Sequence, residues 1–138
     1  MQIINTNNIN QARKQIQELK KQKKPVIIKA QDEEFNRKIL EIPGIDVLFA
    51  PEVHDRIDSL KQRDSGLNEF LTKLAAKNNI KIAIDLTNLK KSDKKQKAIL
   101  LSRIMQNIML CKKAKAQIIV LPEQKNPDFF AFMQALGY

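Results

Sequence analysis

Residues 25–50 read PVIIKAQDEEFNRKILEIPGIDVLFA, and the order of residue types within them decides the fold class. Pro25–Ala30 is a short run rich in Val and Ile, the composition of a strand covered on both faces in a parallel sheet. Asp32 stands where its carboxylate can cap a helix, and the pattern predicts that helix over Asp32–Leu40. Ile45–Ala50 is a second apolar run of strand length. Strand, helix and strand in this order make a βαβ unit with a right-handed crossover.

The same alternation extends both ways. Upstream lie a strand at Gln2–Asn5 and a helix at Asn8–Lys21, which opens at an Asn-rich cap and repeats Ala12, Ile16 and Leu19 on one face. Downstream come a helix at Asn68–Lys77 (Phe70, Leu71, Leu74, Ala75), a strand at Ile80–Leu86 and the longest helix, Ser92–Lys113. A strand at Gln117–Leu121 follows, then a helix at Asp128–Leu136 that starts after Asn-Pro and stops at Gly137. The pattern predicts a parallel α/β sheet of about five βα units. Five are too few for an eight-fold barrel, so the sheet is either open or a partial barrel whose missing edge something else covers. An exposed edge invites a partner or self-association. No repeat or boundary divides the chain, so 1–138 reads as a single domain.

Lys and Arg number 25 against 15 Asp and Glu, a net charge of +10. A surface so positive suits a polyanion whose counterions it displaces: nucleic acid, an anionic membrane surface or an acidic partner protein. Two neighbourhoods concentrate the charge. One is the helix Ala12–Lys24, with Arg13, Lys14, Lys20, Lys21, Lys23 and Lys24; a solvated face explains it equally well. The other spans Lys90–Lys97 and continues through Arg103, Lys112, Lys113 and Lys115, bracketing the long helix. One cysteine, Cys111, precludes a disulfide within the chain and suggests a reducing compartment. The N-terminus lacks the apolar core of a signal peptide, and no apolar run nears the roughly 18–20 residues that cross a bilayer. The expectation is a soluble, cytoplasmic protein.

Residues for chemistry are scarce. A lone histidine, His54, cannot build a His cluster; Asp46, Asp85 and Glu123 are too sparse for two-metal hydrolysis, and His54 reads as an ordinary exposed histidine. Cys111 shares the inward face of the long helix with Leu101, Ile104 and Ile108, and reads as a packed core thiol. Ser65 stands near Asp64 with no second histidine to complete a triad, and three glycines cannot make a phosphate-cradling loop. The expectation is no catalytic residue, no metal and no cofactor. What does stand out is Lys61-Gln62-Arg63-Asp64-Ser65-Gly66-Leu67-Asn68. Asp64-Ser65-Gly66 reads as a turn with a left-handed glycine, leading to a helix N-terminus near Asn68. Arg63 beside that end could grip a phosphate with two hydrogen bonds; a plain cap with Arg63 in solvent fits equally.

The sequence resembles archaeal ribonuclease P protein component 3. The resemblance rests on Asn36-Arg37-Lys38, Ile45-Asp46-Val47-Leu48 and Pro51-Glu52, then Arg63-Asp64-Ser65-Gly66-Leu67-Asn68 and Leu74-Ala75-Ala76-Lys77-Asn78. It continues through Ile82-Ala83-Ile84 and the stretch 100–113, with Arg103, Gln106 and Asn107. The resemblance implies a TIM-like (β/α) scaffold related to PHP phosphoesterase barrels without their metal ligands. It implies binding to ribonuclease P RNA, which itself removes the 5′ leader from precursor tRNA. It also implies pairing with the small ferredoxin-like ribonuclease P protein component 2. On that basis the expected RNA-contacting or site-shaping set is Arg63, Asn68, Lys73, Lys77, Arg103, Asn107, Lys112 and Lys113, with Asp64 orienting Arg63 or capping the helix. Family members are longer at both ends, so this shortened version is expected to close its barrel through something else, such as a homodimer. The rival expectations are a degenerate PHP-type metal-dependent phosphoesterase and a non-catalytic assembly scaffold.

Overall fold

The computed structural model describes residues 2–56 and 64–138. The elements run β1 (Ile3–Ile4), α1 (Ile9–Lys21), β2 (Ile27–Lys29), α2 (Glu33–Leu40), β3 (Val47–Phe49), α3 (Glu69–Lys77), β4 (Lys81–Asp85), α4 (Leu86–Lys91), α5 (Lys94–Ala114), β5 (Ile118–Leu121) and α6 (Pro127–Ala135). The strands form one sheet in the order β1-β2-β3-β4-β5, every pair parallel.

That order has a consequence. When consecutive strands are neighbours and every crossover has the same hand, the connecting helices all fall on one face of the sheet. The other face curves inward, as in a barrel, rather than being covered by helices as in a doubly wound sheet. The side chains alternate accordingly. Ile4, Ile28, Leu48, Ile82, Ile84 and Ile118 face the helices and meet Ile16, Leu19, Ile39, Leu71, Leu100, Ile104 and Ile108 in the main core. Ile27, Val47, Phe49 and Ala83 face the concave side, where they form a separate cluster with Ala50 and the partly buried Ile3, Ile119 and Leu121. The expected partial barrel of five βα units is what the chain forms.

Side chains set the helix starts. Asn8, Asp32, Asn68, Asp85, Asp93 and Asn126 each accept a hydrogen bond from a first-turn amide. Cys111 is fully buried, and burial pushes its thiol up to about 12, as a packed core thiol requires. One element departs from the expected pattern: Leu86, read as the end of a strand, instead opens α4 after Asp85 turns to cap it through the Asn88 amide.

Candidate nucleic-acid interface

The connection that leaves β3 and enters α3 is built from both ends. Gly66 has φ +88, and a Cβ there would come within 1.9 Å of the Pro51 carbonyl oxygen, so only glycine fits. The Gly66 amide donates to Asp64 Oδ1 at 3.0 Å, closing the turn anticipated at Asp64-Ser65-Gly66. Asn68 Oδ1 accepts from the Leu71 amide at 2.8 Å, and its Nδ2 donates to Glu33 Oε1 at 3.0 Å, tying the start of α3 to the start of α2. Arg63 lies outside the described residues.

Beneath this connection sit two residues of the expected RNA-contacting or site-shaping set, both buried. Arg103 is 5% exposed; its Nη1 donates to the carbonyls of Glu52 and His54 at 3.0 and 3.1 Å, and its Nη2 to that of Arg56 at 3.5 Å. Asn107 is 1% exposed and donates from Nδ2 to the Ser65 carbonyl at 3.0 Å. One turn of α5 therefore pins both ends of the connection. Buried, neither side chain reaches a phosphate in this conformation.

His54 corrects a sequence expectation. Its side chain is 6% exposed rather than in solvent. Nε2 lies 2.7 Å from the Asp64 carbonyl oxygen, and Nδ1 accepts from the Arg56 amide, which assigns the proton to Nε2 and leaves the ring neutral. Burial holds its pKa below the usual histidine value. Arg56, which the sequence reading passed over, places Nε 2.7 Å from Asp64 Oδ2 and Nη1 3.3 Å from the Gln31 carbonyl. That hydrogen bond holds the Asp64 carboxyl below the ordinary carboxylate range. Nothing in its spacing marked it, since its partners are eight and 25 positions away.

Three ionisable groups, Lys29, Glu52 and Asp85, meet where β2, β3 and β4 end. Lys29 Nζ donates to the carbonyls of Ala30, Ala50 and Val53 at 2.7–3.0 Å, and burial pulls it down to about 8. Glu52 is 1% exposed, and neither carboxyl oxygen has a hydrogen-bond partner in ordinary geometry. Burial raises it to about 8, offset only in part by the Asp85 backbone and Lys29. Burial therefore favours the neutral acid of Glu52. A polar cleft of about 320 Å³ opens beside them, lined by Lys29, Gln31, Asp32, His54 and Arg56 among others. Among the described residues no three His, Cys, Asp or Glu side chains converge to hold a metal ion.

The remaining candidates are surface cations. Lys73 and Lys77 are exposed on α3, Lys112 and Lys113 at the end of α5. Lys113 pairs with Glu69, which joins α5 to the first turn of α3 and holds the Glu69 carboxyl below its usual range. The second basic neighbourhood of the sequence is thus divided: Lys90–Lys97 flank the start of α5 and Lys112–Lys115 its end, about 25–30 Å apart along a helix of 21 residues.

No family model matches the chain. Its sequence is 32% identical over 117 residues to ribonuclease P protein component 3 of Methanococcus vannielii, covering 85% of this chain and 48% of that protein. It is 25% identical over 140 residues to the component 3 of Methanocaldococcus jannaschii, covering 96% of this chain and 57% of that protein. Its fold matches a chain in a cryo-EM structure of archaeal ribonuclease P with mature tRNA, with a TM-score of 0.79 and 25% identity, over 98% of this chain and 58% of that one. The chain spans about half the length of the curated relatives it matches. The resemblance to archaeal ribonuclease P protein component 3 holds in sequence and in fold. Among the described residues no helix is long and apolar enough to cross a membrane.

Proposed function

We propose that this chain, related in sequence and fold to archaeal ribonuclease P protein component 3, is a non-catalytic, RNA-binding subunit of ribonuclease P. It supports removal of the 5′ leader from precursor tRNA by the catalytic RNA, and it pairs with component 2. The observation that carries the reading is the match of almost the whole chain to one chain of an archaeal ribonuclease P structure. The charge of +10 and the exposed Lys73, Lys77 and Lys112 support it, as phosphate contacts on a polyanion. Arg103 and Asn107 hold the connection that carries Arg63; Asn68 positions α3. Arg63 itself contacts phosphate.

Reconstitution tests the reading. Precursor tRNA cleavage by ribonuclease P RNA with its protein partners is measured with and without this chain. Omission is expected to slow cleavage or raise the magnesium requirement; an unchanged rate at every magnesium concentration would remove the proposed role. Arg63→Ala is expected to weaken RNA binding with the fold intact, whereas loss of structure would make Arg63 a framework residue.

A further inference from the structure

We propose that a helical RNA backbone docks along the strand N-terminal rim of the half-barrel, opposite the end where α/β barrels place their ligands. This rests on the RNA-binding reading above and adds a second contact face, at the end opposite the connection between β3 and α3.

The topology gathers the charge. All strands are parallel, so α1, α2, α3 and α5 all return to the same rim before the next strand begins. There the chain exposes Lys21, Lys23 and Lys24 before β2, Lys77 and Lys81 around the start of β4, and Lys115 before β5. Among the described residues none of the six forms an ion pair. Most of the helix-start acids lie the other way, while Glu41, exposed at the end of α2, and Asp46 lie at the basic rim. Asp32, Asp85 and Asp93 cap helices at the opposite rim, and Glu33, Glu69 and Asp128 lie in first turns there. Asp46, at the basic rim, is occupied by the Val26 amide at 2.8 Å.

Helix dipoles favour a cation or two in each last turn, and that ordinary preference explains Lys21 and Lys77. It does not explain Lys23 and Lys115. Both sit just past a helix with positive φ, 55° and 61°, a conformation costly to a side-chain-bearing residue and free to glycine. The chain carries lysine at two places where the backbone alone favours glycine. Ala50 and Asn79 hold the same conformation without a charge, so at Lys23 and Lys115 the side chain adds a cation where the chain already tolerates a non-glycine residue.

The spread identifies the ligand class. From β2 to β5 the rim covers three interstrand steps, about 14 Å at the sheet, which is wider than one phosphate group and suits successive phosphates of a backbone. Residues 22–26, 41–46, 78–80 and 115–117 contain no aromatic residue on which an unstacked base could lie. The exposed Phe70, Phe130 and Phe132 lie on α3 and α6, and Tyr138 follows the end of α6. Lysines spread along these aromatic-free connections favour a helical RNA backbone over single strands and over a bilayer.

The test uses the unaltered protein and three variants, with an RNA duplex, ribonuclease P RNA and phosphatidylserine vesicles as probes over a salt series. Lys23→Gln/Lys24→Gln/Lys115→Gln is expected to weaken both RNAs tenfold or more and to flatten the slope of log affinity against log salt by about two to three. Lys90→Gln/Lys94→Gln/Lys95→Gln, which removes the same charge from the other rim, is expected to change affinity less than twofold. Lys23→Gly/Lys115→Gly is expected to raise Tm while weakening RNA binding, separating charge from fold. Equal losses in the first two variants, or a loss confined to the second, would overturn the rim assignment while RNA binding stands. Vesicle binding that needs the rim lysines, with RNA binding unaffected by them, would give the rim to a membrane surface. If the unaltered protein binds neither RNA at low salt, the RNA-binding reading falls and the rim assignment with it.

Discussion

Arg103 looks like a ligand contact in the sequence, and in the structure it is buried and bonded to main-chain carbonyls. A basic residue in a basic helix reads as surface; its two anchored nitrogens instead hold the carbonyls of Glu52, His54 and Arg56. Arg103→Met should orphan those carbonyls and cost about 2–4 kcal/mol in urea denaturation. Arg103→Lys should recover only part of that, because an ammonium cannot fork. A variant of full stability that has lost RNA affinity would show instead that Arg103 reaches the RNA. Glu52 gives a pH signature. Its folded pKa, about 8, lies above the usual carboxylate value, so between about pH 4.5 and 8 the folded state holds a proton that the unfolded state has released. Stability from this group is full below that window and falls as pH rises through it. Lys29, lowered to about 8, acts only above it, where its contribution rises with pH. Glu52→Gln should remove the decline, gaining on the order of 3 kcal/mol over the unaltered chain between about pH 5 and 8. Parallel stability curves would refute a buried neutral Glu52.

At the scale of the element, Asn68 separates capping from recognition. Its side chain caps α3 and reaches Glu33 on α2. Asn68→Ala should therefore cost about 1 kcal/mol of stability, and RNA affinity should stay within twofold at temperatures where the variant is folded. A tenfold affinity loss with no stability change would make it an RNA contact. Caps of this kind are why the elements were so legible. Asp32 and Asn68 stand where a local hydrogen bond starts a helix, and the apolar runs are short because each strand spans a few residues. What escaped has a common cause. α4 has only six residues, the last two of them lysines, too few to show a helical period. Arg56, the burial of His54 and the inward turn of Arg103 and Asn107 depend on pairings between 42 and 51 positions apart, or on a loop whose path periodicity does not encode. Local chemistry was readable; long-range partnership among polar groups was not.

For the whole molecule, the sheet and the charge make opposite demands. The described sheet ends at β1 and β5, each paired on one side only, and the concave cluster around Phe49 leaves Ile3, Ile119 and Leu121 partly exposed at those edges. Covering them favours association with a further strand-bearing surface, and a second copy is one source of it. Two copies carry +10 each, so they repel at low ionic strength. Salt screens that repulsion over a Debye length of about 10 Å at 0.1 M, and it does not weaken apolar burial. Self-association should therefore strengthen as salt rises, while RNA binding weakens steeply over the same range because counterion release drives it. Sedimentation velocity from about 0.05 to 0.5 M salt should show the mass moving from one chain towards two. Leu121→Lys, which charges the concave edge, should hold it at one. One chain at every salt concentration, at protein concentrations up to roughly 100 µM, would assign the open edges to a different partner, leaving opposite salt responses without a common origin in this chain.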